Sequence, residues 1–225
     1  MTMAAGTQQK MITIQVDGQR LEVAAGQSIL QAARGVGIPI PALCYYPRLS
    51  VVGSCRVCMV AVEGVKGVVP ACATPVRERM VVQTSTPEVL AARRMAVELL
   101  LSTHHLDGED CESQGKCELE TLAIELGIET PRFARSRERH PVDERHPFFV
   151  YDPNKCILCG RCVRACREIA VNDVWATAGK GGEALVTTFF GEPMESEGCV
   201  SCGECITICP TGALKEKPGY FAEPS

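Results

Sequence analysis

Residues 156–166, CILCGRCVRAC, and residues 199–210, CVSCGECITICP, carry the pattern that decides how this chain is read. Each places four cysteines in one short run, Cys156, Cys159, Cys162 and Cys166 in the first and Cys199, Cys202, Cys205 and Cys209 in the second. Three thiolates on so tight a loop reach three corners of one iron–sulfur cubane. Small residues, Gly160 and Gly203, let the backbone amides turn toward the sulfurs. Structural zinc is the competing reading, since it commonly uses two C-x2-C pairs. Two complete four-cysteine runs are more than such a site needs.

The run C-x2-C-x2-C-x3-C, followed by proline in the second copy, resembles that of bacterial two-cluster ferredoxins, in which the fourth cysteine ligates the other cluster. That resemblance implies one [4Fe-4S] cluster on Cys156, Cys159, Cys162 and Cys209, and another on Cys199, Cys202, Cys205 and Cys166. Arg167 stands where the first copy would carry proline, a small departure. Nearer the N-terminus, Cys44, Cys55, Cys58 and Cys72 form a third group in CYYPRLSVVGSCRVC and PAC. A plant-type [2Fe-2S] protein spaces its cysteines C-x4-C-x2-C with a distant fourth. Here the first gap is ten residues. The setting of strands and helix and the G-x-C-R-x-C loop still favour [2Fe-2S], with zinc as the alternative.

The 14 cysteines among 225 residues dominate the composition, while 5% aromatic residues and 20 glycines argue for several small modules rather than one ring-filled core. The first residues, MTMAAGTQQKMITIQV, show no basic region followed by an apolar core, which predicts a cytoplasmic chain whose thiols bind metal rather than each other. No apolar run approaches the ~18 residues of a membrane span, so direct membrane insertion is not expected. A net charge of −4 without a basic, aromatic-studded face argues against nucleic acid.

Residues 1–10 read as a flexible tail. In MITIQVDGQRLEV, Ile12, Ile14 and Val16 alternate with polar residues, turn at Asp17-Gly18 and resume at Leu21 and Val23, which predicts a hairpin. SILQAARGVG predicts a helix capped by Ser28, CMVAVEGVKGVVPAC two strands around a glycine-rich turn, and MVVQT another strand. Together they make a small α+β module over residues 11–86. A helical segment with a charged connector follows over 87–147. Its first helix starts at Thr86-Pro87, with Leu90, Val97, Leu100 and Leu101 as the expected apolar face. ELETLAIELGIE predicts a second helix ending near Gly127. PRFARSRERHPVDERHP reads as a solvated connector, with a docking surface as the alternative. Residues 148–225 form the two-cluster module, where AGKGGEA reads as a hairpin or connector.

The order of an extended-gap [2Fe-2S] group, the stretch HHLDGEDCESQGKC at 104–117 and the paired four-cysteine runs resembles the N-terminal iron–sulfur region of the NADH:quinone oxidoreductase large subunit. It is also similar to NAD-linked formate dehydrogenase alpha subunits, iron-only hydrogenases and the small diaphorase subunit of NAD-reducing hydrogenases. HPFFVYDPNKCILCGRCVRAC and ESEGCVSCGECITICPTGAL look closest to the double-cubane versions. The resemblance covers nearly the whole chain. It implies a β-grasp [2Fe-2S] domain, a helical middle segment, a two-[4Fe-4S] ferredoxin-like domain and a role in conducting electrons.

That family's middle site reads H-x3-C-x2-C-x5-C. His104, Cys111 and Cys117 match it, but Gly108 stands at the first cysteine position. Glycine offers no ligand. Either a neighbouring donor such as Asp107, Asp110 or His105 completes the site, or it holds a three-iron or otherwise incomplete cluster, or it is empty. His105 alone reads better as a solvent-facing or supporting residue.

No G-x-G-x-x-G follows a strand, since GVGIPI ends that pattern too early, and no phosphate loop or catalytic triad is legible. No catalytic residue and no place for NAD, flavin, molybdopterin or a di-iron centre is therefore expected. The predicted function is a non-catalytic electron-transfer subunit of a cytoplasmic oxidoreductase complex. It would relay electrons between a flavin and NAD(P)-binding diaphorase-type subunit and a catalytic subunit of formate dehydrogenase, hydrogenase or other low-potential reductase type. A free-standing multi-cluster carrier is the alternative.

Overall fold

A computed structural model describes residues 10–104, 117–133, 139–194 and 198–217. Residues 1–9 of the expected tail, His105, Asp107, Gly108, Asp110 and Cys111 lie outside the described residues. The chain divides into two compact units, residues 1–42 with 56–93, and residues 43–55 with 94–225. Strands and helices are mixed throughout, an α+β architecture.

In the first unit the strands are β1 (Met11–Val16), β2 (Gln19–Ala24), β3 (Met59–Val62), β4 (Val68–Pro70) and β5 (Val81–Gln83), paired in the order β2-β1-β5-β3-β4. The hairpin expected at Asp17-Gly18 is present, with Met11 opposite Ala24 and Val16 opposite Gln19. Both turn residues have positive φ, 48° and 84°, as a two-residue turn matching the strand twist requires. β1 runs parallel to β5, and the other pairings are antiparallel. The alternation predicted in β1 holds, because Ile12, Ile14 and Val16 are buried. They share that core with Leu21, Val23 and α1 (Ile29–Gly35). Ser28 caps α1 reciprocally: Gln31 N donates to Ser28 Oγ at 3.2 Å and Ser28 N to Gln31 Oε1 at 2.9 Å.

Helix α2 (Pro87–Leu101) begins where Thr86-Pro87 predicts, with Val89 N donating to Thr86 Oγ1. Its buried stripe differs from the predicted one. Leu90 is 40% exposed while Val89 is fully buried, and the stripe steps by four through Val89, Arg93, Val97 and Leu101. An arginine in the stripe hides this register from a count of apolar residues. Arg93 buries its stem, and its guanidinium donates to the carbonyls of Val57, Met59 and Thr84.

In the second unit, α3 (Glu118–Glu125) closes just before Gly127. The strands β6 (Phe149–Tyr151) and β9 (Leu214–Glu216) pair antiparallel, and β7 (Trp175–Ala178) pairs with β8 (Leu185–Thr188), so that AGKGGEA, read as a hairpin or connector, is a hairpin. The short helices α4 (Arg161–Glu168) and α5 (Glu204–Thr207) each begin two residues after the second cysteine of a run, so that Cys162, Cys166 and Cys205 lie on helices. Their core joins Phe149, Tyr151, Val174, Trp175, Val186, Met194 and Leu214 to cysteine side chains. Segment 43–55 belongs to this unit, with Leu49 and Tyr46 packed on Ala165, Ile169 and Ile208. The C-terminal part of the charged connector is not simply solvated. Asp143 and Tyr151 exchange two backbone hydrogen bonds, and His146, 1% exposed, stacks on Phe149 with centroids 4.3 Å apart.

Candidate metal centres

Sequence dictates that each four-cysteine loop must wind tightly, and the backbone shows how. Leu158 and Ser201, each just before the second cysteine of its run, take φ of 56° and 54°, and Gly160 and Gly203, just after it, take 67° and 76°. Left-handed residues on both sides of one cysteine curl the chain around an enclosed space, a conformation glycine adopts without steric cost and leucine or serine does not. The two loops thus share one backbone shape.

That shape brings the cysteines together in two sets. Cys156, Cys159, Cys162 and Cys209 line one cavity, closed by Tyr151, Val186, Pro210, Thr211 and Leu214. Cys166, Cys199, Cys202 and Cys205 line another, closed by Phe149, Val174 and Trp175. In each cavity three cysteines come from one loop and the fourth from the end of the other run.

Among the described residues no cysteine is joined in a disulfide. Burial pushes Cys159 and Cys205 up to about 12 and Cys162 well above its ordinary range. Desolvation is the main cause in each. Neighbouring sulfurs add to it: Cys209 and Cys156 around Cys159, Cys156, Cys159 and Cys209 around Cys162, and Cys199, Cys202 and Cys166 around Cys205. Four thiolates so close together, most of them buried in the first set, are not tenable without a multivalent cation. An iron–sulfur core meets that need, so the donors present fit the group. Amide donors already point at sulfur: Val174 N lies 3.2 Å from Cys166 Sγ and Leu158 N 3.5 Å from Cys156 Sγ.

Of the N-terminal group, Cys44 and Cys55 lie in segment 43–55 of the second unit, and Cys58 and Cys72 in the first. All four are buried. Cys58 directly precedes β3 and Cys72 follows β4 by two residues; Ala71 N donates to the Cys58 carbonyl at 2.9 Å, which places the neighbouring Cys72 beside Cys58.

At the middle site, His104 is 2% exposed and its Nδ1 lies 2.9 Å from the Lys155 carbonyl oxygen. A carbonyl only accepts, so Nδ1 carries a proton, and in the neutral imidazole the lone pair is then on Nε2, the arrangement a metal-ligating histidine needs. Cys117 is buried at the N-terminal boundary of α3 and its thiol does not cap the helix. The adjacent Glu118 N donates to the Pro210 carbonyl at 2.7 Å, next to Cys209.

Several supporting residues carry no sequence signal of their own. The Lys155 carbonyl accepts from both His104 and Thr211 Oγ1 and precedes Cys156. Arg161, 4% exposed between Cys159 and Cys162, makes a two-pronged pair with Glu118 at 2.7 and 3.1 Å. His146 Nδ1 accepts from Phe148 N, and its Nε2 lies 3.3 Å from Ser201 Oγ, beside Cys202. An arginine between two cysteines looks like an ordinary exposed helical residue. Only the fold reveals that these side chains are enclosed.

Among the described residues no helix is long and apolar enough to cross a membrane.

Three family models match consecutive stretches of the chain: a 2Fe-2S iron-sulfur cluster binding domain over residues 9–87, the NADH-ubiquinone oxidoreductase-G iron-sulfur binding region over 93–132, and the ferredoxin-like domain of NADH-quinone oxidoreductase subunit 3 over 147–215. The chain is 40% identical over 217 residues to the G 2 subunit of the NADH-quinone oxidoreductase of Rhizobium meliloti, covering 95% of this chain and 25% of that protein. It is also 40% identical over 211 residues to the HndD subunit of the NADP-reducing hydrogenase of Solidesulfovibrio fructosivorans, covering 92% of this chain and 36% of that one. The chain therefore spans about a quarter to a third of the length of these curated relatives. A crystal structure of an NAD+-reducing [NiFe]-hydrogenase in the H2-reduced state contains a chain that superposes with a TM-score of 0.86 at 30% identity, over 95% of this chain and 90% of that one.

Proposed function

The chain belongs to the family of iron–sulfur subunits found in NADH-quinone oxidoreductase-like and NAD(P)-reducing hydrogenase complexes, and from that premise we propose that it is a dedicated, non-catalytic electron relay. It works in the cytoplasm between a flavin and NAD(P)-binding diaphorase-type subunit and a catalytic subunit of hydrogenase, formate dehydrogenase or other low-potential reductase type. The observation that carries this reading is the pair of cavities, each lined by four cysteines and each drawing its fourth cysteine from the other run.

Four groups of residues hold the clusters in this reading. Cys156, Cys159, Cys162 and Cys209 hold one [4Fe-4S] cluster, and Cys199, Cys202, Cys205 and Cys166 the other. Cys44, Cys55, Cys58 and Cys72 hold a [2Fe-2S] cluster, supported by their spacing and by the family model spanning 9–87. Residues 11–86 form its β-grasp domain, 87–147 the helical segment and connector, and 148–225 the two-cubane domain. His104 through Nε2, with Cys111 and Cys117, holds a further, atypical cluster one cysteine short at Gly108. The lone pair set on Nε2 by the Lys155 carbonyl supports that fourth site.

When bound, such clusters supply one-electron couples at potentials set by burial, net charge and hydrogen bonds to sulfur. The chain's own residues do the rest. The left-handed loop residues hold the thiolates in place, and Val174 N and Leu158 N donate to sulfur and so stabilise negative charge there. Tyr151 and Trp175, ring centroids 5.1 Å apart, help shield the space between the cavities from water.

Native mass spectrometry of the protein recovered anaerobically from its own cells tests the assignment. The expected result is a complex in which this chain retains a flavoprotein. Recovery as a well-behaved monomer without flavin would overturn it in favour of the free-standing carrier.

A further inference from the structure

Arg164 lies on α4 between the third and fourth cysteines of the first run, and it is 8% exposed. A guanidinium buried that deeply usually faces a carboxylate, as Arg161 faces Glu118 one turn earlier. Arg164 instead donates to four main-chain carbonyls. Nη2 reaches the carbonyl oxygens of Cys44 at 2.6 Å and Cys159 at 3.3 Å, Nη1 that of Ser50 at 2.5 Å, and Nε that of Gly160 at 3.2 Å. One nitrogen thus joins the main chain of a proposed [2Fe-2S] ligand to the main chain of a proposed cubane ligand. One turn on, Glu168 holds the same segment from the other side, accepting from Ser50 N at 2.7 Å and from Ser50 Oγ at 2.5 Å. Ser50 is therefore gripped through its N–H, its hydroxyl and its carbonyl by an i, i+4 pair on one helix.

We propose that Arg164 is a positioning residue whose buried positive charge sets the reduction potentials of the Cys44-bound [2Fe-2S] cluster and the Cys159-bound cubane together. Reduction adds one negative charge to a cluster. A fixed cation beside both ligand backbones stabilises that charge, and in the low-dielectric interior water screens the effect only weakly. Because the same Nη2 serves Cys44 and Cys159, the two couples move in step, which keeps the driving force between them constant. The two remaining bonds of Arg164, to Ser50 and Gly160, and the two that Ser50 donates to Glu168 keep the guanidinium and the segment in that relation. Arg164 touches neither substrate nor iron in this role. It acts through the backbone of the ligands. The inference rests on the reading of Cys44 and Cys159 as ligands.

The test is a redox titration followed by low-temperature EPR on the full-length, cluster-loaded chain. In R164Q, poised at the wild-type midpoints, the reduced-to-oxidised ratio of both clusters should fall about tenfold, equivalent to about 59 mV for a one-electron couple. R164K keeps the charge and should restore both ratios most of the way. E168Q removes a negative charge from the same place and should raise both ratios, by roughly threefold because Glu168 is solvent-exposed and screened. It keeps the inference testable should R164Q fail to load its clusters. If both clusters load and R164Q or E168Q moves only one couple, or neither, the inference is overturned. It is equally overturned if E168Q lowers the ratios, since loosening of the segment rather than charge would then be the cause. C44S separates this from the underlying reading. Loss of the [2Fe-2S] signal in C44S with unmoved potentials in R164Q and E168Q removes only the role of Arg164. Persistence of that signal removes the ligand assignment and the inference with it.

Discussion

The two four-cysteine loops have the same spacing and the same left-handed backbone, yet their surroundings differ. Cys156, Cys159 and Cys162 are all buried, whereas of the corresponding residues Cys199 and Cys205 are half-buried and Cys202 is exposed. The first loop lies under Arg161, Arg164 and the segment carrying Leu49, with Tyr151 and Leu214 closing its cavity. The second is flanked by Val200, itself 64% exposed, and tied down by the Ser201–His146 contact and by Asn172 Nδ2 donating to the Gly198 carbonyl at 2.6 Å. Spacing therefore fixes the shape of a cluster loop, while the elements packed on it fix its solvent exposure. Exposure is one of the levers on cluster potential and lability, so equal motifs need not give equal clusters.

The largest effect that bears on this comparison is removal of iron. Cys156, Cys162 and Cys166 belong to the buried core of the second unit, so stripping iron anaerobically should abolish cooperative melting and amide dispersion there. An iron-free chain that keeps a sharp transition would break the claim that both loops depend on their clusters.

Ligand substitution comes next. C209S should remove the same EPR species as C156S, and C166S the same species as C202S, with the [2Fe-2S] signal intact in all four. If C209S instead removes the species lost in C202S, the fourth cysteines are not exchanged between the loops.

Differential attack sharpens the contrast in exposure. On exposure to air or a water-soluble chelator, the signal of the Cys202 cluster should decay roughly tenfold faster than that of the Cys159 cluster, because oxidation follows thiolate accessibility. Equal rates would mean that burial of the sulfurs does not protect the cluster.

The smallest effect tests what the loops share. G160A and G203A place a Cβ at φ of 67° and 76° without steric overlap with the described residues, so each should cost only the left-handed penalty, roughly 1 kcal/mol. Thermal melting of the loaded chain should show two similar, small decreases. A much larger loss at one glycine would mean that the loops differ in backbone as well as in surroundings.

Much of this was legible in residue order. The Asp17-Gly18 hairpin, the Ser28 cap and the Pro87 helix start rest on local rules, and each is found where those rules put it; AGKGGEA, read as a hairpin or connector, is a hairpin. The crossed grouping of the eight cysteines was implied by the resemblance to two-cluster ferredoxins, and the same two sets line the two cavities. What escaped was non-local. The stripe through Val89 rather than Leu90 was hidden because Arg93 lies in it, and no apolar count accommodates an arginine. The connector's buried end was missed because Asp143 and His146 find their partners only once β6 and the second cysteine loop are in place. Arg164 was missed for the same reason, since two of its four carbonyl partners lie in segment 43–55, 114 and 120 residues earlier in the chain.

The central claim is that the chain is a multi-cluster relay, and iron per chain on anaerobically purified protein, read with low-temperature EPR, tests it most directly. One [2Fe-2S] and two [4Fe-4S] clusters account for about 10 irons, and a further cluster on His104, Cys111 and Cys117 raises the total to about 13 or 14. The account predicts the higher figure, with a [2Fe-2S] signal and separate cubane signals. A total near 10 would remove the middle cluster, and about 4 irons, or zinc in place of iron, would contradict the relay itself.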